Sequence, residues 1–329
     1  MNRTVRILLA LLAAVMLVTS VAACSPASTP STPEPAQVTP AKIRIGTLPT
    51  EDSVPLWVAE RDGLFKKAGL DVAITVFQSA QERDAALTAG AIDGFMGDPV
   101  AATQLRAGGV PVKIVSIMLG ADATQGRFGI AVKPKSKVTD LAGLAGVPVG
   151  TSAASIQEYV LDKLMASAGV APADIKTEIV PKVPVRFELL MSGKLAAAAL
   201  PEPFLSLAEK SGAKVIADDT KANISQTVLI FSEKYLSDAA GALAVEKLLA
   251  VWDEAVATVN ADPNATRALL VEKARLPEPL KDSYVVSTYP TAQLPTQAEV
   301  DDVLTWMKYK GLLTTSVTYA DLTWTPHGK

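Results

Sequence analysis

"RDAALTAGAIDGFMGDPVAATQLRAGG" (residues 83–109) and "RFELLMSGKLAAAALPEPFLSLAEKSGA" (residues 186–213) are the two stretches whose comparison decides the fold. Arg83, Leu87 and Gly90 of the first fall on Arg186, Leu190 and Gly193 of the second. After a one-residue shift, Asp98-Pro99 meets Glu202-Pro203 and Gly108 meets Gly212. Further upstream, "IRIGTL" (residues 43–48) is echoed by "VPVGTS" (residues 147–152), with Gly46-Thr47 on Gly150-Thr151. "AGL" at 68–70 is answered by "AGV" at 168–170. An offset near 104 residues is too long for a solenoid unit of about 20–50 residues. It suits two similar α/β lobes.

Apolar, β-rich runs alternate with helical patterns from residue 42 onward, which predicts βα units around mostly parallel sheets. "KIRIG" (42–46), "DVAITVF" (71–77), "IDGFM" (92–96) and "VKIVSIML" (112–119) read as strands. "VPLWVAERDGLFKKAG" (54–69) puts Val54, Leu56, Trp57, Leu64 and Phe65 on roughly one helical stripe. Helices are also expected over 81–89 and from Pro99.

In open α/β sheets, ligands bind beyond the carboxyl ends of strands, beside the N-termini of the helices that follow. Two such lobes face each other across a cleft. The loops that qualify supply the candidate binding residues: Thr47, Glu51, Asp52, Phe77, Gln78 and Asp98 from the first lobe, and Phe128, Thr151, Ser152, Ser155 and Glu202 from the second. Asp98 and Glu202 each precede a proline, so each is equally a cap for exposed helix amides. The four hydroxyl residues carry the same alternative.

Composition narrows the function. The chain of 329 residues has a net charge of −3 and no basic block in its body, which argues against nucleic acid. It holds one cysteine and one histidine. His327, near the C-terminus, reads as solvated rather than catalytic, and no metal or cofactor is expected. Cys24 follows the uncharged run "ILLALLAAVMLV" (7–18), the length of a signal-peptide core and shorter than the ~20 residues of a spanning helix. Val21-Ala22-Ala23-Cys24 resembles the bacterial lipobox. Residues 1–23 are therefore read as a signal peptide and Cys24 as the lipidation site. Five prolines in residues 25–41 make an extended linker reaching on the order of 50 Å. This places the protein on the extracytoplasmic face of the cell membrane, anchored by lipid.

The lipobox, "LWVAERDGLFKKAGLDV" (56–72), "DGFMGDPVAA" (93–102), "GRFGIAVKPKSKVTDLAG" (126–143) and "LPEPFLSLAEKSGA" (200–213) resemble the solute-binding lipoproteins of ABC importers. The branch they resemble includes binding proteins for sulfonates, nitrate, the thiamine pyrimidine precursor and riboflavin. That resemblance implies a two-lobed, periplasmic-binding-protein-like (type II) α/β fold that closes on one small molecule and docks on a permease with its ATPase. It implies lobe one over 42–120 and 226–329, lobe two over 121–225, and crossings near 119–125 and 220–226. A relative of similar fold, the pyrimidine synthase of thiamine biosynthesis, depends on an active-site histidine and a cysteine cluster. The body of this chain has neither.

Glu51, Asp52, Asp98 and Glu202 repel an oxyanion, and Arg127 is the cation placed to offset them. The charge balance favours a neutral or weakly basic heteroaromatic with several donors: riboflavin first, the thiamine pyrimidine precursor second. An oxyanion such as a sulfonate or nitrate is the alternative. An extracytoplasmic enzyme and a sensory lobe without transport are rival classes. The lipobox reading is checked directly: Cys24→Ser releases the protein from the membrane fraction, and retention there overturns it.

Overall fold

The computed structural model describes residues 38–326. The signal-peptide reading, Cys24 and His327 lie outside those residues.

The chain runs β1 (Ile43–Thr47), α1 (Val54–Arg61), α2 (Leu64–Lys67), β2 (Val72–Val76), α3 (Ala80–Thr88), β3 (Gly94–Gly97), α4 (Pro99–Ala107) and β4 (Val112–Leu119). It continues through β5 (Phe128–Val132), β6 (Pro148–Thr151), α5 (Ile156–Ser167), β7 (Lys176–Ile179), α6 (Val183–Met191), β8 (Ala197–Pro201), α7 (Phe204–Lys210) and β9 (Lys214–Asp218). Then come β10 (Thr227–Ser232), α8 (Glu233–Ser237), α9 (Ala239–Ala261), α10 (Arg267–Glu272) and α11 (Gln297–Tyr309).

Two five-stranded sheets result, ordered β2-β1-β3-β10-β4 and β7-β6-β8-β5-β9. The orders are the same once β1, β2, β3 and β4 are laid on β6, β7, β8 and β9. In each sheet one strand runs against its neighbours: β10 is antiparallel to β3 and β4, and β5 to β8 and β9. The chain leaves the first sheet after β4, enters the second at β5, and returns from β9 to β10. The expected α/β fold of two mostly parallel sheets flanked by helices is the observed one.

Central strands read as continuous apolar runs because both faces are covered. All residues of β3 and β8 are buried, whereas the edge strand β7 is exposed throughout. The single stripe expected over 54–69 is in fact two helices. Asp62 ends α1, and Gly63 takes φ +69°, a left-handed conformation that glycine adopts without strain.

The repeat extends to packing. Arg83 and Arg186 are both buried, and each passes beneath the matching glycine, Gly46 or Gly150. A Cβ on Gly46 would lie 2.7 Å from Ile92 Cδ1, and one on Gly150 would lie 2.5 Å from Leu195 Cδ1. The two floors differ in hydrogen bonding. Arg83 donates to the Met96 carbonyl (2.7 Å) and to Asp84, whereas Arg186 donates to the Val180 carbonyl (3.2 Å), and its Nε and Nη2 have no partner among the described residues.

Gly94 shows how tightly β3 meets β10. A Cβ there would sit 2.7 Å from the Ile230 carbonyl oxygen and 2.6 Å from Phe231 Cδ1. Gly94→Ala is therefore expected to destabilise the protein by roughly 1–3 kcal/mol through overpacking. The check is the urea midpoint; an unchanged midpoint contradicts the close approach.

Candidate functional site

A cleft of about 1190 Å³, counting its open mouth, lies at the carboxyl ends of the strands. The first sheet contributes the loops after β1, β2 and β3, and the second those after β6, β7 and β8. The two crossings add Leu119, Gly126, Arg127, Ser225 and Thr227. Eight expected residues line it: Glu51, Asp52, Gln78, Asp98, Phe128, Ser152, Ser155 and Glu202. Three others lie elsewhere. Thr47 and Thr151 are the last residues of β1 and β6, fully buried beneath their loops, with hydroxyls that find no partner among the described residues. Phe77 packs on the core, its ring edge 3.0 Å from where a Gly46 Cβ would stand. Side chains alternate faces along a strand, so a strand's final residue is often turned into the sheet's own core.

Most helix N-termini at the cleft already hold a carboxylate of this chain. Asp98 Oδ1 accepts from the Ala101 amide (2.9 Å) on α4, and Glu202 Oε2 from the Ser206 amide (3.1 Å) on α7. Glu158 Oε2 accepts from the Ala154 amide (2.6 Å) ahead of α5, and Glu82 Oε2 from the Gln78 amide (3.2 Å) ahead of α3. The partial positive charge of those termini is thereby neutralised internally. Helices α1 and α6 are the exceptions: neither has a side-chain cap, and α6, which begins at Val183, carries Arg186.

Arg127 spans three carboxylates, Glu202 (3.3 Å), Glu209 (2.8 Å) and Asp218 (2.8 Å). Arg275, which the sequence reading did not single out, lines the cleft and donates to Gln78 Oε1 (2.9 Å). Phe204 is a second aromatic on the wall beside Phe128. Sequence pattern offered no signal for Arg275, which arrives from the distant segment after α10.

Glu51 is 3% exposed. Its carbonyl accepts from the Tyr289 hydroxyl (2.8 Å) and Oε1 accepts from Ser287 (3.1 Å), while Oε2 has no partner among the described residues. Burial raises its pKa to about 8, helped by the nearby charges of Glu202 and Asp52; the hydroxyls of Tyr284 and Ser287 pull the other way. Burial likewise raises Asp98 to about 6 against the pull of its helix amides. Glu202 is raised by burial, with Ser206 and Arg127 restraining the shift. No group of metal-ligating side chains occurs among the described residues.

The family model of the NMT1-like family matches residues 36–273. The chain belongs to the NMT1-like family. A curated protein of Escherichia coli (strain K12), named for aliphatic sulfonates, is 27% identical over 271 residues, 80% of this chain and 82% of that one. Among solved structures, the periplasmic aliphatic sulphonate binding protein of Escherichia coli superposes with a TM-score of 0.74 at 22% identity, covering 88% of this chain and 95% of that one. The periplasmic nitrate-binding protein of Synechocystis PCC 6803 gives 0.70 at 16% identity, covering 84% and 83%. A desulfurization enzyme also shares the fold, at 0.62 and 14% identity over 87% of this chain and 97% of that one. The fold is that of the periplasmic binding proteins; the sulfonate and nitrate relatives named here are binding proteins, and the desulfurization enzyme is a more distant match. No described helix is long and apolar enough to cross a membrane.

The Glu51 environment carries a pH signature. A carboxyl whose pKa rises from 4.5 to about 8 on folding contributes full stability below the unfolded value and loses it as pH climbs towards 8. Glu51→Gln removes that loss. The variant is expected to gain on the wild type progressively from pH 5 to 8, reaching a few kcal/mol, and to hold a constant lead above that. Denaturation midpoints measured across pH decide it; parallel profiles contradict the buried-carboxyl assignment.

Proposed function

We propose that this protein is the solute-capturing component of an ABC importer. Its ligand is a small neutral or weakly basic molecule, of the size and shape of a riboflavin- or aminopyrimidine-like heteroaromatic, presenting several hydrogen-bond donors. The observation that carries the ligand class is the wall of acceptors: Glu51, Asp52, Asp98 and Glu202 all line one cleft, and Glu51 retains an unused buried oxygen. Buried acceptors left without donors are costly, so a donor-bearing ligand gains more here than an acceptor-rich one. Phe128 and Phe204 supply faces for a flat ring. Capture works by closure, the ligand stabilising the closed state because it touches both lobes. A lipid on Cys24 would keep the protein at the membrane beside a permease and its ATPase.

Oxyanion capture is the second reading. The relatives named for sulfonates and nitrate favour it over riboflavin, which none of them names. So does α6, whose uncapped N-terminus stands on the same helix as Arg186. Burial lowers the Arg186 guanidinium to about 9, so it stays cationic at neutral pH with two nitrogens unpaired.

Calorimetric titration of the purified protein with riboflavin, the thiamine aminopyrimidine, an alkanesulfonate and nitrate separates the readings. The first predicts that a donor-bearing heteroaromatic binds and is returned chemically unchanged, and that Arg186→Met leaves its affinity intact. If an alkanesulfonate or nitrate binds instead, and Arg186→Met abolishes that binding, the second reading replaces the first.

A further inference from the structure

The spare hydrogen-bonding capacity of the cleft is unevenly distributed. A carboxylate offers about four lone-pair sites. Glu202 fills three of them, with Arg127 and the Ser206 hydroxyl on Oε1 and the Ser206 amide on Oε2. Glu51 accepts from Ser287 on Oε1 and is reached by the Tyr284 hydroxyl, while its Oε2 has no partner among the described residues. Thr227, 5% exposed and at the crossing back into the first sheet, adds a second cleft-lining oxygen with no partner among the described residues. Both atoms belong to side chains more than nine-tenths buried, and both can accept from a donor, the Glu51 oxygen once its proton has left and the Thr227 hydroxyl through a lone pair.

The charges around them are equally one-sided. Glu51 feels Glu202 and Asp52 and is approached by the hydroxyls of Tyr284 and Tyr289. The arginines that share the cleft are committed: Arg127 to Glu202, Glu209 and Asp218, Arg83 to Asp84 and the Met96 carbonyl, Arg275 to Gln78. None of them is paired with Glu51.

Resting on the solute-capture reading above, we propose that the cleft contains a subsite for an organic cation, a protonated amine or amidine, seated on Glu51 with Glu202 facing it from the other lobe. The nitrogen donates to the unused Glu51 oxygen and to the Thr227 hydroxyl, and its charge balances the carboxylate that Glu51 becomes beside Glu202. With the cleft empty at neutral pH, Glu51 holds a proton, because burial opposes its ionisation. The arriving cation replaces that proton, which leaves to solvent. One positive charge enters, one leaves, and the closed cleft keeps its net charge. Affinity for a cation is then expected to rise about tenfold per pH unit up to about pH 8 and to level off above it.

The test uses the purified protein and matched probes: benzylammonium against benzyl alcohol, and benzamidinium against benzamide, with riboflavin and ethanesulfonate alongside. Thermal shift and titration calorimetry are run from pH 6 to 9, in two buffers of different ionisation heat. The cation of each pair is expected to bind at least about tenfold tighter than its neutral partner, with close to one proton released. Glu51→Gln, which the pH argument makes no less stable than wild type, is expected to erase the preference and flatten the pH dependence. Thr227→Val should weaken the cation alone. Equal binding within the pairs, or normal cation binding by Glu51→Gln, overturns the subsite. Riboflavin or ethanesulfonate binding without any cation overturns it while leaving solute capture standing. If no probe of any class binds, both readings fall together.

Discussion

Each sheet is completed by a strand delivered from the other, and that exchange is the constraint on which the structure depends. β10 enters between β3 and β4 after arriving from the second sheet, and β5 enters between β8 and β9 after arriving from the first. The crossings must therefore run side by side, and they pack closely enough to dictate sequence. Gly120 takes φ +88°, and a Cβ on it would lie 3.1 Å from Gln226 Cα and 3.3 Å from the Ser225 carbonyl oxygen. Side chains then pin both segments: the Ala121 amide donates to Gln125 Oε1 (3.0 Å), and Gln226 Nε2 donates to the Asn223 carbonyl (2.6 Å) and Glu299 (3.2 Å). The cleft follows from this arrangement, because the strands ending on either side of the crossings direct their loops into one space.

Electrostatics then decides what that space is suited to hold. Helix N-termini gathered at strand ends are the usual means of holding an anion. Here four of them are answered by Asp98, Glu202, Glu158 and Glu82. A bound anion would have to displace one of these carboxylates or lie beside it. The same residues stabilise the fold by satisfying orphan amides, so capping and ligand selection are two consequences of one placement. Two helix starts depart from the pattern, α1 and α6, neither with a side-chain cap, and α6 carries the buried Arg186, whose Nε and Nη2 have no partner among the described residues. The chemical choice between donor and oxyanion thus reduces to Glu51 on one wall and Arg186 beneath the other.

The architecture was legible because its signals are local and repeated. Strand, glycine turn, acid-proline start and helix recur in order, and residues 112–119 fall on β4 without adjustment. The cleft loops were legible for the same reason, since strand ends and helix starts can be read from a few neighbouring residues. Orientation was not. Thr47, Thr151 and Phe77 sit at positions that look equivalent to their loop neighbours, yet the pleat turns them into the core. Burial imposed from afar was also hidden. Glu51 is enclosed by Tyr284, Ser287 and Tyr289, 233 residues or more further along the chain; nothing around "TLPTEDS" announces that cover. Arg186 looked like the twin of Arg83, and only packing reveals that one found partners where the other did not.

The back of the molecule determines which way the cleft opens. One apolar cluster runs without interruption from Phe95, Ile114 and Val228 of the first sheet to Ile130, Val149 and Ala199 of the second. Over it lies α11, which belongs by sequence to the returning chain but bonds to α5 of the other lobe. Tyr159 and Lys163 donate to Asp302 (2.6 and 2.8 Å), Trp306 Nε1 donates to Asp162 (2.8 Å), and Lys310 meets Glu158 and Asp162 (2.9 and 3.0 Å). Tyr159 and Trp306 stack edge to face at 5.4 Å. Exposed ion pairs of this kind each contribute little, but these share Asp162 and Asp302 and enclose two aromatic rings, so they act as a network. Separating the lobes by translation would break all of it and wet the cluster behind. A rotation about the crossings, by contrast, would keep the back closed.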